Sequence, residues 1–116
     1  MMRLRSDFWV AAYLRRCAVE GIPAVLRRRG AAEAGAIFIK IDHLNGEASL
    51  YGPAPQSLIE TDDADRKFIL VLERKLSMDV EDKISRELRF DADLWLVEID
   101  MREDRHLLCL SCDKNA

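Results

Sequence analysis

The segment "RELRFDADLWLVEID", residues 86–100, decides the fold because it contains the change from helical to strand periodicity. Asp91 and Asp93 flank one alanine there, and short acidic side chains accept hydrogen bonds from nearby backbone amides in turns. We expect Phe90 and Trp95 to fill apolar gaps on either side of this corner. Two close carboxylates could instead form a metal or acid/base site, in which one pKa would be raised by the other. Nothing nearby in the sequence supplies a third partner, so the segment predicts a corner.

Before the corner, the sequence has the period of a helix. Val80, Ile84 and Leu88 are four residues apart, which places them on one face of a helix over 78–89. Ser77 stands where an N-cap is favoured. After the corner, "LWLVEIDM" at 94–101 predicts a strand, and "LLCLSC" at 107–112 predicts a last strand that returns antiparallel to it.

The chain begins with a second helical segment, predicted over residues 7–20. Ser6 is a candidate N-cap, and Gly21 followed by Pro23 can end the helix. Its apolar surface is wider than a helix on the surface of a monomer needs. One sheet covers only one side of a helix, so we expect the other side to meet another element or a second copy in a homodimer.

The next part of the chain predicts three strands. Residues 24–29 and 36–42 have strand character and are joined by "GAAEAG", whose two glycines are expected to supply positive-φ positions in a hairpin. Asn45-Gly46 is a strong hairpin signal and introduces the strand at 48–51.

A long polar connection with two prolines, residues 52–65, predicts an exposed, mobile loop. Residues 66–74 then contain five successive apolar residues, which is typical of a central strand covered on both faces. The predicted order is therefore α-β-β-β-β-α-β-β. This order predicts an α+β fold, with two helices and a mostly antiparallel sheet of five to six strands, in a single domain over 1–116.

The composition excludes several classes of protein. Apolar residues make up 49% of the 116 residues, enough for a core, and 34% are charged. No uncharged apolar window approaches the length of a membrane span. The N-terminal apolar stretch is short and lacks a cleavage site, so it predicts a helix of the domain instead of a signal peptide. Three cysteines cannot form a complete disulfide set, which favours reduced thiols in a cytoplasm.

The charge is unevenly placed along the chain. Residues 1–30 hold seven basic and two acidic residues, a net of +5, whereas the remainder holds eleven and nineteen, a net of −8. Such a basic segment could bind phosphate or nucleic acid, or it could pair with the acidic part of the chain. The candidate binding residues are Arg15, Arg16, Arg27, Arg28 and Arg29.

Three residues near the C-terminus have metal-ligand chemistry. Cys109-x-x-Cys112, with His106 before it, has the spacing of half a zinc site or of a redox pair. A structural zinc would need a fourth ligand, for which Cys17 and His43 are candidates. Cysteine is also a common small core residue, and this interpretation predicts three free thiols and no zinc.

A third pattern could support magnesium chemistry. Asp42 and the Glu73-x-Lys75 pair lie at the ends of predicted strands, which resembles the Asp…Glu-x-Lys pattern of metal-dependent nucleases. Two carboxylates would bind Mg²⁺ and the lysine would lie beside the attacking water. Glu-x-Lys also occurs often by chance. No Gly-rich phosphate loop, His-Glu-x-x-His or nucleophile elbow is present, and no cofactor is expected.

Four segments, in order, resemble one bacterial family: "RLRSDFWVAAYLRR", "RRRGAAEAGAIFIKI", "LYGPAPQ" and "RFDADLWLVEID". The chain is similar along most of its length to DUF1491, an uncharacterised family that usually has proline in place of Ala92. A proline there suits a rigid corner. The resemblance implies a small cytoplasmic bacterial protein and assigns no catalytic residue.

The sequence therefore favours a non-enzymatic binding or accessory domain, with a homodimer or an unidentified protein as partner. A magnesium-dependent nucleic-acid phosphodiesterase using Asp42, Glu73 and Lys75 is the alternative.

Overall fold

The computed structural model describes residues 4–55, 66–103 and 106–110. The predicted order of elements is confirmed. The elements are α1 (Ser6–Val19), β1 (Ala24–Arg28), β2 (Ile37–Asp42), β3 (Glu47–Pro53), β4 (Lys67–Leu76), α2 (Ser77–Phe90), β5 (Trp95–Asp100) and β6 (Cys109–Leu110).

One mixed sheet contains all six strands, in the order β1-β5-β2-β3-β4-β6. Three neighbouring pairs are antiparallel, and β2–β5 and β4–β6 are parallel. This confirms a mostly antiparallel α+β fold. The prediction of a hairpin between β1 and β2 is wrong, because β5 lies between these two strands in the sheet. The last strand is also not antiparallel to β5: it pairs in parallel with β4.

The two helices lie on opposite faces of the sheet. Val10, Tyr13 and Cys17 of α1 pack on one face with residues such as Ile39 and Val97. On the other face, α2 buries Val80 and Ile84 against Phe38, Leu50 and Leu96. The alternation of side chains along β2 and β5 supplies an apolar surface to each helix. Because the sheet separates the helices, α2 does not cover α1.

The strands buried on both faces are β2, β3 and β5, in the middle of the sheet. The prediction that β4 is a central strand is wrong. Only Phe68 is fully buried in β4, and its last four residues, Glu73 to Leu76, are exposed. A run of apolar residues cannot by itself distinguish these positions in a sheet.

The corner prediction is confirmed for the aspartates and for the tryptophan. Asp91 Oδ1 accepts a hydrogen bond of 3.0 Å from the Asp93 backbone amide. Trp95 is 1% exposed. Phe90 is 89% exposed, so the expectation that it fills an apolar gap is wrong.

Glycines Gly30 and Gly35 serve a different purpose from the one expected. The positive-φ glycines among the described residues are Gly21 and Gly46. A Cβ atom at Gly30 would lie 2.2 Å from the Asp93 carbonyl oxygen, and one at Gly35 would lie 2.5 Å from it. These two glycines therefore allow the β1–β2 connection to approach the corner closely.

Both serines expected to cap helices lie inside them. Ser6 and Ser77 are the first helical residues, and the N-cap positions are Arg5 and Leu76. Of the predicted loop 52–65, residues 52 and 53 belong to β3, and Ala54 is buried. Residues 56–65 lie outside the described residues.

Candidate functional site

A groove beside α1 combines aromatic and cationic side chains. It has a volume of about 210 Å³. Its lining consists of Leu4, Trp9, Ala12, Tyr13, Arg16, Arg66 and Leu107.

The aromatic wall of the groove is held rigidly. Trp9 and Tyr13, one helical turn apart, stack with ring centroids 4.9 Å apart and an interplanar angle of 16°. Trp9 also contacts Phe68 of β4, at 5.3 Å between ring centroids. The Tyr13 hydroxyl donates a 2.7 Å hydrogen bond to the His106 carbonyl oxygen. Burial raises the pKa of Tyr13, so this hydroxyl remains a neutral donor.

The two guanidinium groups of the groove differ in their surroundings. Arg66 is 7% exposed, and its Nη2 donates to the Leu4 carbonyl oxygen and to Ser6 Oγ, both at 2.9 Å. Ser6 Oγ in turn donates to the Gly35 carbonyl oxygen at 2.7 Å. Arg16 is exposed, and within the described part of the chain it forms no ion pair. It is therefore available to an anion from outside.

On the opposite face, a network of charges joins α2 to the sheet. Arg27 Nη1 lies 2.6 Å from Glu81 Oε2 and 2.9 Å from Glu98 Oε1. Lys40, only 4% exposed, donates to the same Glu81 oxygen and to Ser77 Oγ. The hydrogen bonds from Arg27 and then Lys40 lower the pKa of Glu81 to about 2, against the effect of burial. These contacts connect four elements of the fold: β1, β2, β5 and α2.

Next to this network, three carboxylates converge at the carboxyl ends of the parallel strands β2 and β5. Oxygen atoms of Asp42, Glu98 and Asp100 all lie within 4.8 Å of one another. Carboxylate oxygens suit Mg²⁺ and Ca²⁺. Asp42 Oδ1 already accepts a hydrogen bond from the Leu44 amide, and Glu98 is paired with Arg27. This grouping was not predicted because it depends on the parallel pairing of β2 with β5. The sequence signal for this group of carboxylates is "EID" at 98–100, in which Glu98 and Asp100 alternate with an apolar residue and so share one face of β5.

The magnesium pattern predicted from the sequence is distributed over separate strands. Asp42 lies opposite Ala48 of β3, and Ala48 lies opposite Lys75 of β4. Glu73 and Lys75 are exposed on β4. One whole strand therefore separates Asp42 from the other two residues.

The five candidate arginines do not form one surface. Arg27 is paired on the α2 face of the sheet. Arg28 donates to the Ala92 carbonyl oxygen at 2.7 Å, and the Arg29 guanidinium lies 5.1 Å from the Trp95 ring centroid. Arg15 and Arg16 are exposed on α1, on the other face.

The candidate metal ligands are partly engaged within the protein. His43 Nδ1 lies 3.1 Å from the Met101 carbonyl oxygen, and its Nε2 lies 2.8 Å from Ser49 Oγ. His106 Nδ1 accepts a hydrogen bond from the Leu108 amide. Cys17 is a buried free thiol whose pKa is raised by burial. The Cys109 side chain and Cys112 lie outside the description, so the metal hypothesis stays a prediction.

Residues 4–109 match the family model described as a protein of unknown function, DUF1491. The chain belongs to the DUF1491 family. No curated protein matches the chain significantly. None of the helices in the described ranges is long and apolar enough to cross a membrane.

Solved structures include close relatives of this DUF1491 protein. A protein from A. tumefaciens, solved in solution, is 41% identical, covers 94% of this chain and 95% of its own, and gives a TM-score of 0.80. A DUF1491 family protein from Caulobacter crescentus, solved as a crystal structure, is 32% identical, covers 94% of this chain and 98% of its own, and gives a TM-score of 0.75. An NMR structure of a DUF1491 family protein from the same organism is 33% identical, covers 95% of this chain and 98% of its own, and gives a TM-score of 0.74.

Proposed function

We propose that this DUF1491 protein is a non-enzymatic binding domain, and that the groove beside α1 takes a small ligand with an apolar body and one anionic group. The observation that carries the proposal is the exposed Arg16 guanidinium beside the stacked Trp9 and Tyr13 rings. An aromatic wall favours a flat apolar body, and the guanidinium favours a carboxylate or phosphate.

The size of the groove limits the ligand. Its volume of about 210 Å³ is below the range of roughly 300–1,000 Å³ found for sites of drug-sized ligands. Leu4, Leu107 and Ala12 add apolar walls, so an ion without an apolar body would leave them uncovered. A single ring or short acyl chain with one acidic group matches this combination.

An NMR titration tests the proposal with phenylacetate and, as its neutral counterpart, phenylacetamide. Phenylacetate is expected to shift the Trp9 indole resonance in a saturable way. Phenylacetamide is expected to bind about tenfold more weakly, because one charge-assisted hydrogen bond contributes roughly 1.5 kcal/mol or more.

Two neighbouring arginines provide matched variants. Arg16→Gln is expected to weaken phenylacetate binding by about fivefold to tenfold, since it removes the charge that lines the groove. Arg15→Gln removes the same charge one residue away and is expected to leave binding unchanged. Equal binding of acid and amide, or equal losses in the two variants, would contradict the proposal.

The magnesium-dependent phosphodiesterase receives less support from the geometry. Its Asp42, Glu73 and Lys75 lie on strands separated by β3, and the arginines expected to hold phosphates lie on different faces. Nucleic acid is therefore not our preferred partner.

We further propose that the protein acts in a bacterial cytoplasm. The structures from A. tumefaciens and Caulobacter crescentus support the bacterial part. The odd number of cysteines and the buried free thiol of Cys17 fit a reducing compartment. Cell fractionation with an antibody against the protein tests the location.

A further inference from the structure

Among the described strands, β1 lies at one end of the sheet and has one edge without a partner strand. On its other side it pairs with β5, with Ala24 opposite Ile99 and Val25 opposite Glu98. The Asp100 amide donates to the Pro23 carbonyl oxygen at 3.0 Å. In an antiparallel ladder, every second residue of a strand directs its backbone groups to the same neighbour. Because Pro23 is bonded to β5, Val25, two residues later, also directs its backbone groups to β5.

Ala24 and Leu26 consequently direct their backbone N–H and C=O groups away from β5, to the open side. Within the described residues, no turn, loop or side-chain hydrogen bond uses these groups. Unpaired donors and acceptors on an edge strand form a template for another strand.

We propose that a second copy of this chain pairs with this edge, β1 against β1 in antiparallel orientation, about a twofold axis through Val25. Ala24 of each protomer then lies opposite Leu26 of the other. Both residues have outward-directed backbone groups, so each of these two pairs can exchange two hydrogen bonds. The symmetric placement of Ala24 and Leu26 about Val25 makes the edge self-complementary, as a twofold interface requires.

The side chain on the axis is apolar and exposed. Val25 is 54% exposed. Across the axis it would meet the partner's Val25 in a non-hydrogen-bonded pair, where facing side chains are closest. Association would thus remove a β-branched residue from water on both protomers.

An apolar flank of α1 extends the contact. Trp9 packs towards β4, at the far side of the sheet, so the opposite flank of α1 faces the β1 end. At 100° per residue, that flank carries Ala11, Leu14 and Ala18. Small residues let two helices approach to about 8–10 Å. The two α1 helices would lie side by side above the joined sheets.

The charges also suit this pairing. In the antiparallel arrangement, Arg28 and Arg29 lie away from the same arginines of the partner. The basic end of each β1 therefore does not face a second basic cluster, which a parallel pairing of the two edges would bring together.

Light scattering during size-exclusion chromatography at micromolar concentration tests the dimer. The expected mass is twice the monomer mass of 13.3 kDa. Val25→Arg places two like charges on the axis and is expected to halve the mass while the circular dichroism spectrum is unchanged. Met78→Arg is the matched control, because Met78 is exposed at the start of α2, where the Ser77 amide donates to the Gly46 carbonyl oxygen of the β2–β3 turn, and its variant is expected to remain dimeric.

Three results would overturn the proposal: a wild-type mass near 13.3 kDa, a dimer that survives Val25→Arg, or equal dissociation in both variants. If Val25→Arg does not fold, amide exchange of the wild type decides: Ala24 and Leu26 must become protected as concentration rises. Because the groove lies on the other flank of α1, monomeric Val25→Arg should still bind phenylacetate if the proposed function is right, which separates the two proposals.

Discussion

Trp95 shows how one residue connects the corner to the rest of the molecule. Its Nε1 donates a 2.8 Å hydrogen bond to the Ala31 carbonyl oxygen, and its ring packs in the core shared with α1. Gly30 lies so close to the corner that a Cβ atom would be 2.6 Å from the Trp95 Cδ1 atom. Aromatic packing, one hydrogen bond and close backbone approach therefore all depend on the same ring.

Replacing Trp95 by alanine should lower the free energy of unfolding by about 3–5 kcal/mol, because it leaves a large cavity and removes one of the two hydrogen bonds to the Ala31 carbonyl oxygen. Urea denaturation followed by circular dichroism measures the change. Phe90→Ala is the control, since 89% of Phe90 is exposed, and it should cost less than about 0.5 kcal/mol. A variant at position 95 as stable as this control would contradict the role of Trp95.

The residue-scale features that could be predicted are those that depend on neighbours in sequence. The turn at Asp91 and Asp93 requires only its own backbone, and the sequence predicted it. The exposure of Phe90 depends on which part of the fold lies beside it. The same holds for Gly30, whose neighbour Asp93 is distant in sequence.

At the scale of elements, α2 is attached to the sheet by both apolar and ionic contacts. Val80 and Ile84 supply the apolar contact. Glu81, one residue further round the helix, binds Arg27 of β1 and Lys40 of β2. The ionic contact therefore fixes the position of the helix across two strands that are not neighbours.

The stability of this attachment should depend on acid pH. The pKa of Glu81 is lowered from 4.5 to about 2 in the folded protein, so its contribution is complete above about pH 4.5 and is lost as the pH falls towards 2. Glu81→Gln should lower the free energy of unfolding by about 1 kcal/mol near pH 7, a modest amount because solvent screens this partly exposed side chain. As the pH falls from 4.5 towards 2, the stability of this variant should also decrease less steeply than that of the wild type.

Urea denaturation at several pH values between 2 and 7 measures both effects. Asp82→Asn is the control, because Asp82 is exposed on the same helix and forms no ion pair with the described residues. Parallel pH profiles for wild type and Glu81→Gln would contradict the assigned role.

Helix and strand types were predictable because apolar periodicity reports them directly. The candidate site was less predictable from the sequence. Arg16 was selected for its charge alone, whereas the groove is also lined by Trp9, Arg66 and Leu107, which come from three parts of the chain. The spacing of Trp9 and Tyr13, one helical turn apart, is the sequence signal for the aromatic wall of the groove.

At the scale of the whole molecule, strand order was the part that sequence could not supply. The run in β4 and the runs in β2 and β5 are similar in composition, yet β4 lies near one edge. The insertion of β5 between β1 and β2 depends on pairing over long sequence separation. That pairing also creates the carboxylate group of Asp42, Glu98 and Asp100.

This strand order predicts how the molecule opens. Strands β2 and β5 are covered on both faces and contain the fully buried residues Ile39, Ile41, Val97 and Ile99, so the amides of these residues should exchange only when most of the fold opens. Ala24 and Leu26 lie on the edge strand, and in a monomer their outward amides face water.

Amide hydrogen exchange measured by NMR on the monomeric Val25→Arg variant tests this order. The central amides should exchange at least about 100-fold more slowly than those of Ala24 and Leu26, since edge strands open locally at low free-energy cost. The amide of residue 25, arginine in this variant, is directed to β5; its exchange rate should lie between these two groups, and it serves as an internal control on the same strand. Equal rates for β1 and β5 in the monomer would show that the sheet opens as one unit, contrary to the layered burial of its strands.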